Sequence, residues 1–117
     1  MKTLKLGLVI GCLIAAGVSL AAVNGEETWS GVISDSICRM EHLPISEGDP
    51  VLPAPECTRV CIRGGSRYVF VSDEKVFDIE DQKRPELDKF AGQPIKLTGV
   101  LHGSAISISK IEATAGR

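Results

Sequence analysis

From Arg67 onward the chain alternates apolar and polar positions in short runs separated by turn residues. Tyr68-Val69-Phe70-Val71 reads as a strand, Ser72-Asp73-Glu74 as a turn, and Lys75-Val76-Phe77-Asp78-Ile79 as the returning strand of a hairpin. In residues 95–102, Ile95, Leu97, Gly99 and Leu101 fall on one face, and Lys96, Thr98, Val100 and His102 on the other. After the turn His102-Gly103-Ser104, residues 105–112 set Ile106 and Ile108 against Ser107 and Ser109. Between the hairpin and these strands, residues 85–91 read as a short helix, with Pro85 near its start and Gly92 at its stop. Upstream, residues 27–33 form a β-rich run with Trp29 and Gly31 on one face and Thr28, Ser30 and Val32 on the other.

The predicted order is strand, insertion, strand, strand, short helix, strand, strand. That is the order of an OB-like fold, a small mainly β, five-stranded barrel with one helix between strands 3 and 4; an open five-stranded meander is the alternative. Gly31 and Gly99 sit mid-strand, where a small closed barrel needs bends or bulges. The expected core is Ile95, Leu97, Leu101, Ile106 and Ile108, facing inward with Val69 and Val71.

The N-terminal pattern is of another kind. Lys2 and Lys5 precede an almost purely apolar stretch, 6–23, and Ser19-Leu20-Ala21 supplies small residues for cleavage. A stretch of about 18 apolar residues could also anchor in a membrane, but Gly7, Gly11, Gly17 and the Ala-rich end favour a signal peptide over 1–21. Residues 22–117 are then a single exported domain, periplasmic or secreted, with no stable membrane span after processing. Lipoprotein anchoring through Cys12 is a minor alternative, because the apolar run continues beyond it, the wrong order for a lipobox.

Charge and size narrow the function classes. The 117 residues allow one small domain. Removing Lys2 and Lys5 from 13 basic residues leaves the chain more acidic, against 15 Asp and Glu. An acidic chain with five aromatic residues and no basic cluster is a poor nucleic-acid ligand. The acidic stretch Asp73, Glu74, Asp78, Glu80 and Asp81 lacks the EF-hand spacing for calcium and reads as a solvated face.

Chemistry concentrates in the polar, Pro-rich insertion 34–66, which holds Cys38, His42, Cys57 and Cys61. If Asp35 caps a helical turn, Cys38 and His42 share a face at i and i+4; Pro55 and Gly64 frame a second short helix that presents Cys57 and Cys61 the same way. The two pairs would converge as a Cys3His tetrahedron for zinc or another soft-ligand metal. The competing reading is a structural disulfide from Cys38 to Cys57 or Cys61, with one thiol left over. A Cys57–Cys61 bridge is disfavoured, since Cβ atoms at i and i+4 stand about 5–6 Å apart and a disulfide needs about 3.5–4.5 Å. A thiol redox role is the third option, with Arg39, Arg59 or Arg63 lowering a thiol pKa. Cys57-x3-Cys61 lacks the two-residue spacing of thioredoxin-like pairs, and neither His42 nor His102 comes with an oxyanion-hole signal. No enzymatic activity is expected. The functional expectation is a small binding domain holding a soft metal, or a disulfide-stapled module for a protein or saccharide partner.

The opening Trp29-x-Gly31-x-Ile33-Ser34-Asp35-Ser36-x-Cys38 with His42 resembles that of an uncharacterised bacterial family of small exported domains. So do Glu56-Cys57-Thr58-x-x-Cys61 and Gly65-x-x-Tyr68-Val69-Phe70-Val71. Lys75-Val76-Phe77, Ala91-Gly92, and Leu97-Thr98-Gly99 with Ile106 extend the likeness across nearly the whole exported part. The family has a Gly just after its first Cys, and this chain has Arg39 there. The resemblance implies an OB-like fold and no particular activity.

Overall fold

A computed structural model describes residues 25–44 and 46–114. The expected signal segment and Cys12 lie outside the described residues. Among the described residues no helix is long and apolar enough to cross a membrane.

The chain is mainly β, with the predicted element order. Strands β1 (Glu26–Asp35), β2 (Tyr68–Ser72), β3 (Lys75–Ile79), β4 (Pro94–His102) and β5 (Ala105–Ala113) are joined by helices α1 (Ala54–Arg63), inside the insertion, and α2 (Pro85–Lys89). Each strand pairs with two neighbours, so the sheet closes on itself in the order β1-β2-β3-β5-β4. All pairings are antiparallel except β3 with β5. The β2–β3 hairpin turns on Asp73 and Glu74, both at positive φ (48° and 61°), as a two-residue type I′ turn demands.

Inside the closed sheet lie Ile33, Tyr68, Phe70, Ile79, Leu87, Ala91, Ile95, Leu97 and Ile106. Trp29 and Phe77 stack on this cluster, with ring centroids 6.4 Å apart. Gly31 leaves the space that Phe70 fills: a Cβ there would come within 2.6 Å of Phe70 Cζ. A register shift at Thr98/Gly99 pairs Gly99 with Ile108 but Thr98 with Lys110. Ser109 is therefore the extra, bulged residue, and it lets Ile111 join Ile106 and Ile108 against the core. Arg84 holds the bulge by donating to the carbonyls of Ile108 and Ser109 at 3.1 and 3.2 Å.

Two core expectations are corrected. On β2 the residues in the central cluster are Tyr68 and Phe70, not Val69 and Val71, although Val69 is itself buried. Both faces of this strand are apolar, so alternation alone does not fix its phase; Val71 instead lines an outer pocket with Val32, beneath the insertion. Leu101 pairs with Ile106 beside the turn of the β4–β5 hairpin and is 39 % exposed.

The insertion is clamped to the barrel at several points. Ser36 N donates to Arg67 O at 2.8 Å, closing the base of the excursion. Arg59 of α1 donates to Asp88 O at 2.8 Å and pairs with the Asp88 carboxylate at 3.5 Å, docking α1 on α2. Gly92, at φ 70°, lies flush against the backbone of Ala54 and Pro55, and its N–H donates to Ile33 O at 2.7 Å. Any side chain there would push the start of α1 away from β1.

Candidate metal centre

The site is built where β1 runs out. Asp35, the last residue of β1, is fully buried, and its Oδ1 accepts hydrogen bonds from the backbone of Ile37 at 3.0 Å and Cys38 at 2.8 Å. Its own carbonyl accepts from Arg39 N at 2.8 Å, completing a single turn over 36–40. Asp35 therefore caps the turn that carries Cys38, as the sequence suggests. The turn goes no further, because Arg39 takes φ 53° and redirects the chain. Ser34 Oγ donates to Arg39 O at 2.7 Å and fixes that reversal.

The opposing wall is α1. Ala54 and Pro55 open it, Glu56 lies in its first turn, Arg63 in its last, and Gly64 ends it. Cys57 is fully buried and Cys61 partly so, one helical turn apart on the face turned toward Cys38. Cys38 Sγ and Cys57 Sγ stand 3.7 Å apart. That is well beyond a disulfide bond of about 2.05 Å, and Cys38, Cys57 and Cys61 are all free thiols.

Asp35, Cys38, Cys57 and Cys61 form a group that could hold a metal ion: one donor atom from each lies within 4.8 Å of all the others. The remaining carboxylate oxygen, Asp35 Oδ2, is buried with no hydrogen-bond partner. No salt bridge among the described residues reaches Asp35. A buried carboxylate oxygen lacking both a donor and a cation is costly, and a coordinated ion would satisfy it.

Protonation fits the same picture. Burial, followed by the neighbouring Cys38 and Asp35, pushes the Cys57 thiol up to about 11. Burial, followed by Asp35 and Cys38, pushes Cys61 up to about 12. Without a cation these sulfurs are neutral thiols at physiological pH. A bound cation reverses the balance, since it favours the thiolate at each sulfur it touches.

The structure brings together three of the four ligands expected from sequence, and it puts His42 elsewhere. Because the turn ends at Arg39, His42 does not follow Cys38 on a helical face. It lines a separate pocket with Val32, Ser34, Met40 and Val71, where its Nδ1 is buried without a partner. Asp35 stands in the fourth position of the cluster. The sequence did signal Asp35, but as a cap; a capping carboxylate uses one oxygen on the backbone and keeps the other free. His102, set aside on sequence grounds, hydrogen-bonds Glu80 at 2.9 Å on the exposed surface.

On its outer side the sulfur cluster faces an apolar pocket of about 370 Å³, lined by Ile37, Leu43, Pro44 and Val60 together with all three cysteines. Ile37 is 71 % exposed and Leu43 55 % exposed at its rim. Cys38 and Cys61, both partly exposed, are thus reachable through the pocket, whereas Cys57 and Asp35 are fully buried behind them. No protein-family model, curated protein or solved structure matches the chain.

Proposed function

We propose that this chain is an exported, OB-like binding domain, not an enzyme, whose insertion holds a single thiophilic metal ion through Cys38, Cys57, Cys61 and Asp35. The observation that carries the reading is the 3.7 Å separation of Cys38 Sγ and Cys57 Sγ. Two sulfurs on one tetrahedral ion, with metal–sulfur bonds of about 2.3 Å, stand about 3.8 Å apart. Donors shared between two metals would be spread further by the metal–metal separation, so a group within 4.8 Å suits one ion. Three sulfurs and one carboxylate select zinc or a similarly soft divalent ion over magnesium or calcium, which take oxygen ligands.

Support for the OB-like assignment comes from the closed strand order and from α2 between β3 and β4. Export rests on the apolar N-terminal segment ending in Ser19-Leu20-Ala21. The likeness to the family of small exported domains bears on Arg39, whose positive φ is the conformation its usual Gly adopts freely. The test is native mass spectrometry of protein purified anaerobically, reduced and offered zinc. One ion per chain is expected, lost in Cys57→Ser and kept in His42→Ala. No bound ion, or equal loss in His42→Ala, would overturn the assignment.

A further inference from the structure

We infer that the same cluster is a redox switch, in which a small-molecule disulfide oxidises Cys38 and Cys57 to a crosslink and expels the ion. The inference rests on the metal reading above and adds its regulation. Three observations select the pair. Cys38 Sγ and Cys57 Sγ are in contact at 3.7 Å, so closing to a bond of about 2.05 Å needs under 2 Å of movement. Cys38 rides on a lone turn outside any helix or strand, whereas Cys57 is held in α1. Cys57 and Cys61 lie one turn apart on that same helix, where the Cβ spacing is too wide for a bridge.

Access sets the order of events. Cys57 is fully buried, while Cys38 is partly exposed and lines the outer pocket. The Cys38 thiolate attacks one sulfur of the incoming disulfide, breaking its S–S bond and releasing one thiol. The Cys57 thiolate then attacks the Cys38 sulfur of the mixed disulfide and releases the second thiol. Two cysteines are oxidised and one external disulfide is reduced. The ion, left with Cys61 and Asp35 alone, dissociates. A thiol reductant reverses both exchanges and restores the site.

The experiment treats the zinc-loaded full chain with glutathione disulfide, following zinc release with a chromogenic chelator and mapping crosslinks by peptide mass. The expected result is one equivalent of zinc released, a Cys38–Cys57 link, and zinc rebinding after reduction. Cys57→Ser, treated the same way in its reduced, zinc-free form, should stop at a glutathione adduct on Cys38. A loaded chain that keeps its zinc and its thiols, or that crosslinks through Cys61, contradicts the switch while leaving the metal site standing. A reduced chain that takes up no zinc at the outset contradicts the metal site, and the switch with it.

Discussion

Asp35 and Cys38 are joined by a 2.8 Å hydrogen bond from the cysteine's backbone N–H to Asp35 Oδ1, while Oδ2 of the same carboxylate, which clusters with the three sulfurs, is left buried and unpartnered. One side chain thus shapes the turn that delivers the first cysteine and, on the proposed metal reading, keeps an oxygen free for the ion. Substitution can separate the two tasks. Asp35→Asn preserves the capping oxygen and removes the charge, so zinc affinity should fall at least tenfold while the metal-free fold changes by less than about 1 kcal/mol. Asp35→Ala loses the cap as well and should destabilise the metal-free fold by about 0.5–2 kcal/mol. Denaturation curves and zinc titrations on the two variants check both.

Metal binding should release at least two protons per ion at neutral pH, from Cys57 and Cys61, whose pKa values are raised to about 11 and about 12. Apparent affinity should therefore climb steeply with pH. Calorimetric titration in buffers of different ionisation enthalpy counts the protons. The metal-free fold should respond in the opposite sense. A thiol whose folded pKa is raised holds its proton more tightly in the native state, so its stabilising contribution is present at neutral pH. That contribution is lost as pH rises from about 9 through 11–12. A metal-free protein that gains stability over that range would contradict the buried placement of these sulfurs.

Arg39 takes φ 53° to end the Cys38 turn, and a residue with a Cβ is strained there. Arg39→Gly should raise stability by about 0.5–1 kcal/mol in urea unfolding, net of the added freedom of the unfolded chain, with the site intact. Destabilisation would mean that the guanidinium's 3.3 Å hydrogen bond to Ser36 O outweighs the backbone strain.

In the barrel, Leu97 is fully buried in the central cluster, and Leu97→Ala should cost about 2–5 kcal/mol. Gly31→Ala should cost about 1–3 kcal/mol, because the new methyl group meets Phe70 and the Val71 carbonyl. Thermal or urea unfolding measures both, and near-neutral values would contradict the register of β1 against β2 and β4.

The element order along the chain was legible because β4, and β5 as far as Ser109, largely alternate polar against apolar, with a Gly-bearing turn between them. The phase of β2 was not legible: Tyr68, Val69, Phe70 and Val71 are all apolar, and the insertion covers part of the outer face. Ile111 turns inward only because Ser109 bulges, an irregularity that period-two counting does not see. At the site, the helix carrying Cys57 and Cys61 announced itself through Pro55 and Gly64. His42 was misplaced because its i+4 relation to Cys38 assumes a helix that continues, and the left-handed Arg39 stops it. Asp35 entered the cluster while also capping the Cys38 turn, a role that sequence spacing does not distinguish from an ordinary helix start.

X-ray absorption at the zinc edge of the reduced, loaded protein tests the central claim most directly, because it counts ligands by element. The account predicts three sulfurs at about 2.3 Å and one oxygen at about 2.0 Å, with Asp35→Asn perturbing the oxygen shell and leaving the sulfur shell in place. A first shell dominated by nitrogen and oxygen, or one that includes an imidazole lost in His42→Ala, would contradict it.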